Sequence, residues 1–222
     1  MVWHRKIFYK KIIILIILIS ILIAGCATNE DMDNESKEVN FDKEKLLAYF
    51  PVLPGMHYEY RGEGIEYAAF IRDIKYVEKP FVQIHDNNGG TIVATIYKVK
   101  EDRISIISQQ EEFYSEDNLL LKLDKDVKEK EIILKTPLQE GNSWESNDKR
   151  KEIIKTGMTL ELPAGKFYDV IKVESKLTNR ENELTNYYYY AKNIGLVKEE
   201  SKGENFNVIS ELKAYKNTEA DG

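Results

Sequence analysis

The sequence predicts a mainly β fold of antiparallel sheets, made from two diverged tandem repeats and one short N-terminal helix. From residue 51 onward, stretches rich in Tyr, Ile, Val and Thr alternate in polarity, as strands with one wet face do. Turn signals separate these stretches. Residues of the first half recur in the second half at a constant spacing, which indicates a repeat.

The helix is predicted at residues 42–50, DKEKLLAYF. Asp42 can cap its first turn, and Pro51 ends it. Leu46, Leu47 and Phe50 fall on one face. The spacing therefore predicts a short helix packed on the sheet.

The strands are predicted from alternation and from the turns between them. Hairpin turns are predicted at residues 61–64 (RGEG), 87–90 (NNGG) and 163–165 (PAG). Long strands are predicted at residues 167–177, 185–191 and 207–215. We expect about a dozen strands, either in two small sheets side by side or in one large curved sheet. The second arrangement follows if the repeats pair edge to edge, which removes two exposed edges.

The repeat rests on two offsets that differ by a single insertion. At an offset of 86 residues the matched pairs are Pro51 with Pro137, Gly55 with Gly141, Tyr58 with Trp144, Glu59 with Glu145 and Phe81 with Phe167. At an offset of 90 they are Thr95 with Thr185, Tyr97 with Tyr187, Ile104 with Ile194, and Ile106–Ile107 with Leu196–Val197. The predicted units are residues 41–134, which include the helix, and residues 135–216, followed by a disordered tail at 217–222.

The N-terminus has the pattern of a lipoprotein signal peptide. Residues 1–11 contain four basic and no acidic side chains, and residues 12–23 read IIILIILISILI. This apolar run is too short to favour a permanent transmembrane anchor. Residues 23–26, IAGC, resemble the lipobox of bacterial lipoproteins. We therefore predict a signal peptide at 1–25, cleavage between Gly25 and Cys26, and a diacylglyceryl group on Cys26.

The segment after the cysteine is predicted to be an acidic, disordered tether, residues 26–40, with five acidic residues and one lysine. Removal of residues 1–25 takes away four of the 32 basic residues and none of the 38 acidic ones, so the net charge becomes −10. Nucleic acid repels such a negatively charged chain, so we exclude nucleic acid as a partner. The two acyl chains on Cys26, palmitate among them, would hold the protein at the cell membrane.

Catalytic and metal-binding patterns are missing from the sequence. The single cysteine excludes an internal disulfide, and His57 and His85 have no ligand at metal-binding spacing. The sequence lacks a nucleophile elbow, a phosphate-binding glycine loop and an HExxH motif. We predict a protein that is not an enzyme and has no metal and no cofactor.

Four consecutive tyrosines, Tyr187–Tyr190, form the most conspicuous candidate for a binding surface. On a strand, two rings point to each face. Tyr188 and Tyr190, beside Tyr97, could form an exposed platform for a glycan, a peptide or a protein. The alternative is a strand whose rings are buried or brace their cross-strand neighbours.

Several further segments, spread over nearly the whole chain, form a specific set. They are IAGC at 23–26, YFP at 49–51, NNGG at 87–90, TPLxxGNSW at 136–144, LPAGxF at 162–167 and YYAKNIGLVK at 189–198. Together they resemble uncharacterised lipoproteins of clostridia-like Gram-positive bacteria. The resemblance implies an extracytoplasmic, membrane-attached β protein, and implies no activity and no functional residue beyond Cys26.

The function predicted from the sequence is that of a lipid-anchored extracytoplasmic module that binds an envelope protein or glycan. An alternative is a carrier that holds a lipid or other apolar ligand in a concave sheet. A cell-envelope hydrolase is a third alternative. An apolar concave face would favour the carrier, whereas a filled interior with an exposed patch would favour the module.

Overall fold

The computed structural model describes residues 43–124, 126–178 and 184–218. Within them the predicted mainly antiparallel β fold is confirmed, with one α-helix, α1, at residues 43–49. The strands are β1 (Met56–Glu63), β2 (Phe70–Glu78), β3 (Phe81–Asn87), β4 (Ile92–Val99), β5 (Arg103–Gln110), β6 (Glu131–Lys135), β7 (Ser143–Ser146), β8 (Lys149–Leu162), β9 (Gly165–Leu177), β10 (Thr185–Ala191), β11 (Gly195–Gly203) and β12 (Phe206–Asn217). The signal peptide, the tether with Cys26, and tail residues 219–222 lie outside the described residues.

These twelve strands form one sheet in the order β6-β5-β4-β3-β2-β1-β12-β11-β10-β9-β8-β7. Strands β1–β6 form one meander and β7–β12 form another, and the two join where β1 pairs with β12. Of the two arrangements left open by the sequence, the structure therefore has the single curved sheet. The sheet is a nearly closed barrel whose gap lies between β6 and β7.

Side chains of β7 bridge this gap. Trp144 Nε1 donates a hydrogen bond to the Ile132 carbonyl at 3.1 Å, and the Ile132 amide donates to Ser146 Oγ at 2.8 Å. Both backbone groups of Ile132 on the edge of β6 are thus satisfied without a ladder between the strands. Trp144 is itself buried, so the gap is sealed on its inner side.

Helix α1 packs at one end of the barrel. Leu46 is fully buried and Phe50, which follows the helix, is nearly so, and both belong to the main hydrophobic core. The Asn193 amide in the β10–β11 turn donates to the Ala48 carbonyl at 2.5 Å. The predicted helix at 42–50 is therefore confirmed to within one residue at each end.

The two meanders begin in the same way. Gly55, before β1, has a φ of 76° and donates its amide to the Ile74 carbonyl of β2 at 3.0 Å. Gly141, before β7, has a φ of 85° and donates to the Ile153 carbonyl of β8 at 2.9 Å. Glycine is favoured at both positions because positive φ strains other residues. The tandem repeat that pairs these glycines stays a prediction.

Two predicted boundaries differ from the structure. Residues 61–64 do not form a turn, because β1 continues to Glu63. A Cβ on Gly62 would lie 2.1 Å from the Ala69 backbone nitrogen, so this glycine permits a close backbone approach and not a turn. Strand β12 extends to Asn217, and the Thr218 amide donates to the Gly55 carbonyl at 2.9 Å, so the ordered chain passes residue 216.

Candidate functional site

The barrel interior contains a cavity of about 280 Å³. Its wall includes charged side chains that share the inward face of a strand with buried apolar residues. Arg72 lies two residues before Ile74 on β2, and Asp86 lies two residues after Ile84 on β3, so each pair shares one face of its strand. Phe50, which directly follows α1, also lines the cavity, and its ring centroid lies 5.2 Å from that of Tyr97. The site is thus a polar cavity above an apolar floor.

Arg72 and Asp86 face each other across β2 and β3 and form a two-point ion pair. Arg72 Nε donates to Asp86 Oδ1 at 2.7 Å, and Nη2 donates to Oδ2 at 2.8 Å. Burial would lower the pKa of Arg72, but the Asp86 carboxylate outweighs burial and raises that pKa above its ordinary value. The hydrogen bonds of this pair use Nε and Nη2 and do not involve Nη1.

A second charged cluster joins β6 to β8 across the gap. Lys151 is 2% exposed, and its Nζ donates to Glu131 Oε1 at 2.6 Å. Lys149 Nζ donates to Glu131 Oε2 at 2.9 Å. Burial lowers the pKa of Lys151 against the opposing effect of Glu131. Burial would raise the pKa of Glu131, but the two lysines outweigh it and hold that pKa below its usual range.

Three tyrosines lie in the wall of the same cavity: Tyr97, Tyr188 and Tyr190. Tyr97 and Tyr190 are 6% and 5% exposed, so they do not form the exposed platform suggested by the sequence. The alternation of β10 turns Tyr188 and Tyr190 inward, and Tyr97 faces them from β4. Their hydroxyls make no hydrogen bond within the described chain. Burial raises the pKa of each, so all three are neutral donors and acceptors.

Glu199 lies opposite Tyr188 on β11 and reaches the same cavity. Among the residues that the structure describes, none donates a hydrogen bond to its carboxylate or forms an ion pair with it. Burial raises the pKa of Glu199, while the nearby Arg72 guanidinium opposes the shift. Glu199 is half-buried. A desolvated carboxylate without a partner is costly, and a ligand in the cavity could supply that partner.

Comparisons with known proteins place no family on this chain. A scan of protein-family models finds no match, and a search of curated proteins finds no significant match. A protein from Bacteroides fragilis NCTC 9343, inferred to be exported and described with a YmcC-like fold, has 13% identity and a TM-score of 0.43, covering 75% of this chain and 97% of that one. An inferred lipoprotein from Parabacteroides distasonis ATCC 8503 has 15% identity and a TM-score of 0.39, covering 76% and 98%.

The hypothetical lipoprotein YmcC from Escherichia coli (K12) has 13% identity and a TM-score of 0.36, covering 85% of this chain and 96% of that one. At these values the similarities assign neither a ligand nor an activity. The resemblance to clostridial lipoproteins stays a prediction.

The remaining sequence candidates fall outside the cavity. His57 Nδ1 lies 2.7 Å from Asp73 Oδ1, and the buried His85 Nε2 lies 2.8 Å from Gln83 Nε2. Within residues 43–124, 126–178 and 184–218, no group of three or more His, Cys, Asp or Glu side chains could hold a metal ion. The described helix is not long and apolar enough to span a bilayer. Cys26 lies outside the described residues.

The sequence pointed to the three tyrosines of the cavity but not to the charged residues that line the same cavity. The available signal was a charge on the apolar face of an alternating strand. Phe70, Arg72 and Ile74 are each two residues apart and therefore share one face of β2. Val82, Ile84 and Asp86 share one face of β3 for the same reason. A charged residue at such a position must be paired or serve a site.

Proposed function

We propose that the protein is a lipoprotein anchored through Cys26 on the extracytoplasmic face of the cell membrane. The order of basic residues, apolar run and IAGC segment at residues 1–26 supports the anchor. Two acyl chains on one glycerol satisfy the requirement for stable attachment, which a single chain does not meet. The barrel would then be held outside the cell by the acidic tether.

The Cys26→Ser variant tests the anchor. Without the thiol, no diacylglyceryl group can be attached, so we expect the unprocessed precursor to accumulate and palmitate labelling to be lost. Metabolic labelling and the mass of the purified chain measure both. Palmitate incorporation at the wild-type level in Cys26→Ser would contradict the lipoprotein assignment.

We infer further that the barrel cavity binds a small polar ligand. The ligand we propose is one sugar unit of an envelope glycan. The observation that supports this proposal is the convergence in one cavity of the Glu199 carboxylate and three tyrosine hydroxyls, none of which has a hydrogen-bonding partner among the described residues. A sugar offers hydroxyls that both donate and accept, and its ring faces pack on aromatic side chains. The cavity wall contains three cationic side chains and three carboxylates, so their formal charges cancel. A wall without net charge suits an uncharged ligand.

The carrier and hydrolase alternatives fit this cavity less well. A hydrocarbon ligand would leave the Glu199 carboxylate without a hydrogen-bonding partner, which is costly. A glycoside hydrolase needs two available carboxylates. Asp86 and Glu131 are both held in ion pairs, which leaves Glu199 alone. We therefore propose binding without catalysis.

The Glu199→Gln variant tests the role of the cavity. Loss of the charged acceptor should weaken the affinity for a bound sugar about tenfold or more. The same change should stabilise the ligand-free protein. Because burial raises the pKa of Glu199, its contribution to folding is complete at acidic pH and is lost as the pH rises through that raised pKa. The stability gained by the variant should therefore grow as the pH rises above the ordinary pKa of a glutamate and through the raised pKa of Glu199.

The measurement combines calorimetric titration with a panel of uncharged envelope monosaccharides and disaccharides, native mass spectrometry, and urea unfolding. The chain from residue 26 with Cys26→Ser is used throughout. Glu152→Gln, a change at a partly exposed carboxylate outside the cavity, is the control for binding. If no sugar of the panel binds and no polar mass is retained, or if Glu199→Gln binds as tightly as the wild type, the proposal fails.

A further inference from the structure

A second cavity, of about 360 Å³, lies between α1 and the turn that joins β2 to β3. On β3, Val82 lines this cavity, whereas Asp86, four residues further along, lines the polar one. The two sites therefore lie toward opposite ends of the strand. We refer to the second site as the helix-side groove.

The walls of the helix-side groove are hydrocarbon. Leu47 from α1, Val52 after it, and Val77, Val82 and Val99 from the sheet line it, with Phe81 and Pro80 at the turn. Its volume falls in the range of about 300–1,000 Å³ that is typical of small-molecule sites. Apolar walls of this kind favour a hydrocarbon ligand because each methylene group that leaves water for the groove adds to the binding free energy.

The charged side chains of the groove are two lysines, Lys43 and Lys79. Neither forms an ion pair or hydrogen bond within the described residues, and no described acidic residue lines the groove. Among the described residues that line the groove, these lysines supply two positive charges and no carboxylate supplies a negative one. Cations in this position attract an anionic group at the end of an apolar chain.

We propose that the helix-side groove binds a free long-chain fatty acid, with the alkyl chain against the valines and the carboxylate near Lys43 and Lys79. The charge of the two lysines decides for a carboxylate over an uncharged alcohol or a neutral glyceride. The inference goes beyond the proposed sugar site, since it concerns different residues. It stands or falls independently of the polar cavity.

Titration with hexadecanoate, followed by native mass spectrometry and calorimetry, tests the groove. The protein is the chain from residue 26 with Cys26→Ser, delipidated before use. We expect one hexadecanoate per chain, and at least tenfold weaker binding of hexadecan-1-ol. The Lys43→Ala/Lys79→Ala variant should bind hexadecanoate about tenfold more weakly, because it removes both of the charges that attract the carboxylate.

The matched control is Lys128→Ala/Lys155→Ala, which removes the same charge from exposed lysines that line neither cavity. This control should bind hexadecanoate as the wild type does. Glu199→Gln should also leave hexadecanoate binding unchanged. Equal affinities for hexadecanoate and hexadecan-1-ol, or full binding by Lys43→Ala/Lys79→Ala, would overturn the proposal. So would binding that is detected only when Val39 and Phe41 are replaced by aspartate, since the chain's own segment would then occupy the groove.

Discussion

Replacement of Glu131 by methionine is expected to destabilise the protein by about 3–5 kcal/mol. The variant leaves the Lys151 ammonium, which is 2% exposed, without its acceptor at 2.6 Å. A buried charge without a counter-charge costs more than the ion pair contributes. The cluster also joins β6 to β8, so its loss weakens the connection across the gap between β6 and β7 in the described sheet. Urea unfolding followed by tryptophan fluorescence measures the change.

Two companion variants make this prediction specific. Glu131→Met/Lys151→Met removes both charges and should recover most of the lost stability, because no unpaired ion remains. Glu152→Met breaks the more exposed pair with Arg150, at 3.5 Å, and should change stability by less than about 1 kcal/mol. If Glu131→Met and Glu152→Met have equal effects, the buried cluster does not stabilise the closed sheet.

Replacement of Leu46 by alanine is expected to destabilise the protein by about 2–5 kcal/mol. Leu46 is fully buried in the main core, where α1 packs at the end of the barrel. The truncation leaves a void next to Phe50, which lines the floor of the polar cavity. Thermal and urea unfolding measure the loss of stability. We expect a single transition, because α1 and the sheet share one core.

Leu53→Ala is the matched control for this change. Leu53 is 54% exposed, so its truncation should alter stability by less than about 0.5 kcal/mol. If Leu46→Ala lowers the unfolding midpoint no more than Leu53→Ala does, α1 does not belong to the cooperative core.

The local elements could be predicted from sequence because their signals are local. The strand at 185–191 is confirmed without change, since consecutive β-forming residues lie between a charged stretch and a turn at Asn193. Asn193 has a φ of 66°, a conformation that asparagine tolerates better than most residues. The turn at 61–64 was wrong because Gly62 serves a contact with Ala69, which no neighbouring residue reveals.

The closure of the sheet could not be predicted in the same way. Whether β1 pairs with β12 depends on an edge-to-edge match between the two ends of the folded chain. Alternation reports which face of a strand is buried but not which strand lies beside it. The choice between two sheets and one therefore required the structure.

The site was predicted in part. Period-two alternation correctly separated Tyr188 and Tyr190 from Tyr187 and Tyr189, but it could not tell which face was enclosed. In an open sheet the inner pair would be exposed, whereas in a barrel it lines the interior. Glu199 was missed because its neighbours Lys198 and Glu200 are also charged, which hides the inward position of a single carboxylate.

The pairing of the first strand with the last sets the order in which the protein can fold. Every other strand pair joins neighbours in sequence, so each hairpin can form as soon as its two strands exist. The β1–β12 pairing must close a loop of nearly the whole folded chain, which is entropically costly and slow. Until the last residues arrive, β1 is an open edge that can pair with another chain. During synthesis, which starts at the N-terminus, the chain therefore passes through an incomplete barrel that is prone to aggregate. A chain truncated near residue 206 would lack β12 and would remain in that state.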